Sequence, residues 1–251
     1  MTSAGLRTLS VLSGAVLLAQ AVAVAVIIAR SHTQVQLPVA LHSRGTDGTS
    51  PLGRVDLGLA VIVLCALVAL ARLVVVVPPV FPRYFAGVQT NRHSARWIEF
   101  AFSSSIVIFL VAQLNGISDI GTLVLGYAIT SGMTLFTVLQ ERSPRAASAR
   151  MLPLWFGAVI GIVPWGVIAF HQVAQVLSGQ PPSALVRVIT LTMLAFSFAF
   201  FVSHWREQRQ ANTTRTLPGG ERTHILLSLA STSAFTWLVV LGSIGVGGIQ
   251  L

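Results

Sequence analysis

A chain of 251 residues is long enough for one or two soluble domains, but 54% of these residues are hydrophobic and only 9% charged, with a mean hydropathy of +0.79. Soluble domains carry roughly 25% charged residues, so a soluble fold is excluded. The net charge of +9 does not mark a nucleic-acid binder either: all sixteen cations are arginines, the chain contains no lysine, and the arginines are scattered between apolar runs as membrane topology requires. Cys65 is alone and lies inside an apolar run, so no intrachain disulfide forms and the redox compartment stays open.

A membrane-spanning helix needs about 20 mainly apolar residues, because a rise of ~1.5 Å per residue must cross ~30 Å of hydrocarbon. Seven stretches answer to this: 9–29, 57–77, 98–116, 121–139, 153–174, 184–204 and 224–246. The first resembles a signal peptide, with Arg7 ahead of the apolar run and small residues near Ala19 and Ala21, but it continues to about Ile28 and reads as a retained helix. The loop that follows, Arg30 to Asp56, is the longest. Its Gln34-Val35-Gln36-Leu37 alternation suggests a short strand or hairpin before a Gly/Ser/Thr turn region, with a flexible polar loop as the alternative. Further along, Pro78-Pro79, Gly116 with Asp119, Pro144, Pro181-Pro182 and Leu217-Pro218-Gly219-Gly220 separate the remaining spans. The expectation is an all-α protein, a single seven-helix membrane domain over residues 1–251.

Arginine distribution sets the expected sidedness. Eleven arginines fall on the N-terminal side (Arg7, Arg83, Arg92, Arg96, Arg142, Arg145, Arg150, Arg206, Arg209, Arg215, Arg222), four on the other (Arg30, Arg44, Arg54, Arg187), and Arg72 lies within a span. Short loops rich in Arg stay in the cytoplasm, which places the N-terminus inside the cell membrane and the C-terminus outside.

The third span opens Arg96-Trp97-Ile98-Glu99-Phe100-Ala101-Phe102-Ser103-Ser104-Ser105. This resembles the third-helix signature of the heliorhodopsins, RWIEY-x-FSSS. Gly161-Ile162-Val163-Pro164-Trp165 is similar to the family's fifth helix, and Leu227-Ser228-Leu229-Ala230-Ser231-Thr232-Ser233-Ala234-Phe235-Thr236-Trp237 to its LSLVAKSLLAW seventh. The resemblance extends over all seven spans and the long first outside loop, and implies a rhodopsin-like bundle, inverted relative to ordinary microbial rhodopsins, that forms a homodimer. It also exposes a departure. Aligned on Leu227-Ser228-Leu229 and Trp237, the family's retinal-binding lysine falls at Thr232. A hydroxyl forms no imine with an aldehyde, and no other lysine exists. The family's polar-cavity histidines on the first and second helices fall at Leu17 and Arg72, and Phe100 replaces a tyrosine.

Arg72 and Glu99 are the deepest ionisable groups expected, each roughly 5–10 Å inside the N-terminal boundary by helical rise, where a lone charge is costly. Glu99 corresponds to the family's Schiff-base counterion. We expect Arg72 to replace that cation, with Ser103 and Ser228 completing a polar cluster; in the alternative, Glu99 pairs with Arg96 one turn away and Arg72 reaches the interface. Met133, Trp165, Phe196, Phe200 and Trp237 are candidate lining for the vacated pocket, expected either collapsed or lipid-filled, or holding an isoprenoid or other apolar ligand. His93, His204 and His224 share the N-terminal side and are expected at a solvated interface, with a metal or pH-sensitive cluster the alternative. No catalytic, P-loop, metal-protease or paired-carboxylate arrangement is evident, so no enzyme and no bound metal are expected. The functional expectation is a non-photoactive membrane sensor or interaction protein whose partners are membrane lipids and a protein docking on the arginine-rich loops 140–152 and 205–223. The alternatives are a noncovalent lipid or isoprenoid binder, or an ion or proton transporter, against which no continuous polar path is visible.

Overall fold

In the computed structural model the described residues are 2–31, 34–42, 49–143, 151–211 and 219–244. In chain order they form α1 (Ser3–Ser31), β1 (Gln36–His42), β2 (Thr49–Asp56), α2 (Leu57–Val74), α3 (Phe81–Gln89), α4 (Ser94–Leu114), α5 (Ile120–Arg142), α6 (Leu152–Gly161), α7 (Val163–Leu177), α8 (Ala184–Ala211) and α9 (Gly219–Ile244). Seven spans result, α6 and α7 together making the fifth. The expected seven-helix bundle is present. Parts of both arginine-rich loops, 144–150 and 212–218, lie outside the described residues, as do Arg44, Pro144 and Leu217-Pro218.

The expected hairpin is an antiparallel pair of strands, β1 and β2, and it closes one end of the bundle. Leu37 is fully buried in the main apolar cluster, Ala40 N–H donates to Ser118 O at 2.9 Å, and Gln113 Nε2 donates to Pro38 O at 3.2 Å. Carboxylates start the adjoining helices: Asp56 accepts from Leu59 N at 2.8 Å, and Asp119 accepts from Thr122 N at 2.8 Å, each satisfying an otherwise orphaned helix-end amide. Asp56 also accepts from Gln36 Nε2 at 2.8 Å, tying hairpin to α2. α1 and α2 approach closely at Gly14, where a Cβ would lie 3.3 Å from Ala69 O, the small-residue contact common between membrane helices.

The fifth span is broken between α6 and α7 at Ile162, because Pro164 has no amide to continue the ladder. The second span is shorter than the expected 57–77, ending at Val74 ahead of Pro78-Pro79. Beyond it comes α3, a short helix not anticipated from hydropathy, whose Tyr84, Phe85 and Val88 pack on Leu6, Leu9 and Ile225. At the same end, α5, α8 and α9 run past the expected limits of 139, 204 and 224 and carry Glu141, Glu207 and Glu221 into the bundle. Replacing Leu37 with Ala should destabilise by about 2–4 kcal/mol, as for other buried leucines, and lower the thermal unfolding midpoint in detergent, whereas Leu52→Ala on the exposed hairpin surface should leave it unchanged.

Candidate functional site

Two helices supply most of the site from single faces. On α4, Arg96, Glu99 and Ser103 recur at spacings of three and four. On α9, Glu221, His224, Ser228 and Thr232 do the same, so each set lines one stripe. Arg72 enters from the last turn of α2.

Arg72 Nη2 donates to Glu99 Oε2 at 2.9 Å, with the two side chains 5% and 2% exposed. The other carboxylate oxygen accepts from Ser103 Oγ at 3.1 Å and Ser228 Oγ at 3.3 Å, and His224 Nε2 lies 3.7 Å from Oε2. The fold thus brings together all four residues named for the polar cluster. The alternative partner, Arg96, turns away from Glu99 toward α8 and α9. Its guanidinium forks onto Glu207 at 2.8 and 3.2 Å, donates to Glu221 Oε2 at 3.3 Å, and lies 3.5 Å from Glu141 Oε1. Three buried carboxylates outbid one for the cation, since each left alone would carry a large desolvation cost.

The histidine expectation fails. His93, His204 and His224 are all buried, each against a carboxylate. His93 Nδ1 is 2.9 Å from Glu141 Oε1, and its backbone N–H donates to Oε2 at 3.0 Å; His204 Nδ1 is 3.4 Å from Glu207 Oε2; His224 faces Glu99. Tyr84 of α3 completes this cluster, donating to Glu221 Oε1 at 2.7 Å. Burial, with the Glu221 charge beside it, holds the Tyr84 phenol well above its ordinary range, so it remains a donor. A chain of ionisable groups therefore runs from Glu99 to the N-terminal end, and further along α4 and α9 the apolar core of Val111, Leu114, Phe235 and Val239 takes its place, so the path does not continue across the bundle. All three glutamates of that end point inward, while Arg7, Arg83, Arg92, Arg142, Arg206, Arg209 and Arg222 are exposed.

Beside the ion pair lies a cavity of about 440 Å³, so the pocket has not collapsed. Met133, Trp165, Phe196, Phe200, Ser103, Ser228 and Thr232 all line it. Trp237 does not. At ~100° per residue it stands about 140° around α9 from Thr232 and faces elsewhere. Trp155, Val159 and Ile162 of the fifth span and Phe198 of the sixth line the cavity while remaining exposed on the bundle surface, so it reaches the lipid-facing side between those spans.

The heliorhodopsin family model matches residues 6–244 of the chain. The chain belongs to the heliorhodopsin family. A search of curated proteins returned no significant match. Within this heliorhodopsin bundle the Arg96 cluster was the part missed by sequence reasoning. Its signal is the scarcity of acids: three of only seven, Glu141, Glu207 and Glu221, sit at apolar-helix ends on one side. Arg96→Met should strand those carboxylates and destabilise by roughly 3–5 kcal/mol. Arg72→Met should be similarly costly, but the double variant Arg72→Met/Glu99→Gln should recover much of the loss. Thermal unfolding of the purified single and double variants measures the coupling.

Proposed function

We propose that this heliorhodopsin-family protein forms no retinal Schiff base and acts as a non-photoactive membrane sensor that holds an apolar ligand noncovalently. One observation carries the reading: the cavity of about 440 Å³ lies beside a carboxylate, Glu99, already paired with Arg72 at 2.9 Å. Retinal attachment needs a primary amine. The 251 residues contain no lysine, and Thr232 stands at the position that resemblance assigns to it, so the residues present do not fit a covalently attached chromophore.

The cavity falls in the usual range of small-molecule sites, roughly 300–1,000 Å³. Its wall of Met133, Trp165, Phe196 and Phe200 suits a lipid or isoprenoid, and its exposed rim offers entry from the bilayer. Binding is favoured over carriage and over enzymatic chemistry. The ionisable groups extend from Glu99 toward the N-terminal end, whereas further along α4 and α9 the core is built of Val111, Leu114, Phe235 and Val239. The arginine excess supports a cytoplasmic N-terminus and an anionic lipid or protein partner at that face, and the family resemblance supports a homodimer.

Solvent extraction of the purified protein followed by mass spectrometry should find one apolar species enriched over bulk lipid. Its absence would remove the ligand reading. Added all-trans-retinal should leave no visible band that survives washing, and a stable red-shifted band would overturn the claim of no Schiff base.

A further inference from the structure

We infer that the bundle rim at α3 binds the phosphate of an anionic phospholipid, with Arg7, Arg83 and Arg222 as its cations. The inference rests on the reading above of an anionic partner at the N-terminal face. It commits that partner to lipid and gives it a place.

α3 has nine residues, about 14 Å of helix against ~30 Å of hydrocarbon, so it does not span. Phe81, Tyr84, Phe85 and Val88 recur on one of its faces at spacings of three and four. The last three pack on Leu6 and Leu9 of α1 and on Ile225 of α9. Those partners belong to the opening two turns of α1 and α9, so α3 lies across the N-terminal rim of the bundle. The chain leading into it, residues 73–82, is apolar throughout. Val74, Val77 and Val80 of that run are 46%, 43% and 36% exposed. An interfacial helix preceded by exposed valines sits at the boundary between acyl chains and headgroups, the depth at which lipid phosphates lie.

Three exposed cations flank this helix. The Arg7 guanidinium of α1 stands 5.6 Å from the centre of the Phe81 ring, a cation–π contact that holds it at α3 without a carboxylate. Arg83 lies on the side of α3 opposite its packed face. Arg222 adjoins Glu221 on α9, whose carboxylate accepts from the Tyr84 hydroxyl of α3 at 2.7 Å. Among the described residues none of the three pairs with a carboxylate. The acids nearby are spent inward, Glu221 on Tyr84 and Arg96 and Glu207 on Arg96. Guanidiniums bordering an exposed apolar run select a phospholipid over an acidic protein. A carboxylate-bearing peptide would answer the arginines and leave the valines in water. A phospholipid brings acyl chains for the valines and, on the same molecule, a phosphate that matches the guanidinium fork. A zwitterionic headgroup carries its own ammonium, so a lipid of net negative charge fits best.

The test mixes the purified full-length protein in detergent with equimolar phosphatidylglycerol and phosphatidylcholine of matched chains, and counts retained lipids by native mass spectrometry. Wild type should retain phosphatidylglycerol about tenfold or more over phosphatidylcholine, since one arginine near anionic lipid is worth about fivefold. Arg7→Gln/Arg83→Gln/Arg222→Gln should fall close to parity. Arg142→Gln/Arg206→Gln/Arg209→Gln removes the same charge from α5 and α8, which the apolar contacts of α3 do not reach, and should keep most of the preference. All six side chains are exposed, so the thermal unfolding midpoint should stay unchanged in both variants and report a folded bundle. Equal loss in the two variants overturns the α3 site while the charged-face reading stands. Parity in the wild type overturns lipid as the partner, leaving an acidic protein as the occupant of that face.

Discussion

A carboxylate buried among membrane helices must find a cation, and much of this bundle is arranged around that demand at Glu99. Water cannot help, and the cost of an isolated charge in this setting exceeds what apolar packing near it returns. Arg72 answers from the neighbouring helix at 2.9 Å, and the hydroxyls of Ser103 and Ser228 occupy the second oxygen. The relative rotation of α2, α4 and α9 is constrained by that single carboxylate, because turning any one of them by a fraction of a helical step withdraws a partner.

The same demand is repeated at the N-terminal end with the signs reversed in number, one arginine serving three carboxylates. Arg96 suits the role because its planar fork engages Glu207 with two bonds while its remaining donors reach Glu221 and approach Glu141. Aromatic rings close over it: Trp97 lies beneath the guanidinium at 4.5 Å, and His204 meets Trp97 edge-on at 4.6 Å. This layer links α3, α4, α5, α8 and α9, and it borders the cavity through Arg96, His204 and Glu207. A molecule entering the cavity therefore presses on the elements that meet at the N-terminal surface.

Much of this architecture was legible in the sequence, and the reasons differ by feature. The seven spans are a local property of twenty-residue windows. The Arg72–Glu99 contact was legible because charges in apolar runs are rare and helical rise gives each a depth. The extent of α5, α8 and α9 was not, since hydropathy trims a helix where polar residues begin, and Glu141, Glu207 and Glu221 are polar residues that stay buried by pairing. The same trimming turned three buried histidines into expected interface residues. The misplaced Trp237 is an angular error within a correctly recognised helix, and the open cavity depends on how side-chain volumes add across four helices, which no single segment encodes.

The inward turn of the three glutamates also changes what the N-terminal surface presents. In an extended chain, positive and negative residues alternate along these segments, and a binding partner would meet mixed charge. Once Glu141, Glu207 and Glu221 close on Arg96 and His93, the described part of that surface carries seven exposed arginines with its acids withdrawn. Its single sign is thus a product of tertiary assembly, a property that the same chain lacks before its helices have met.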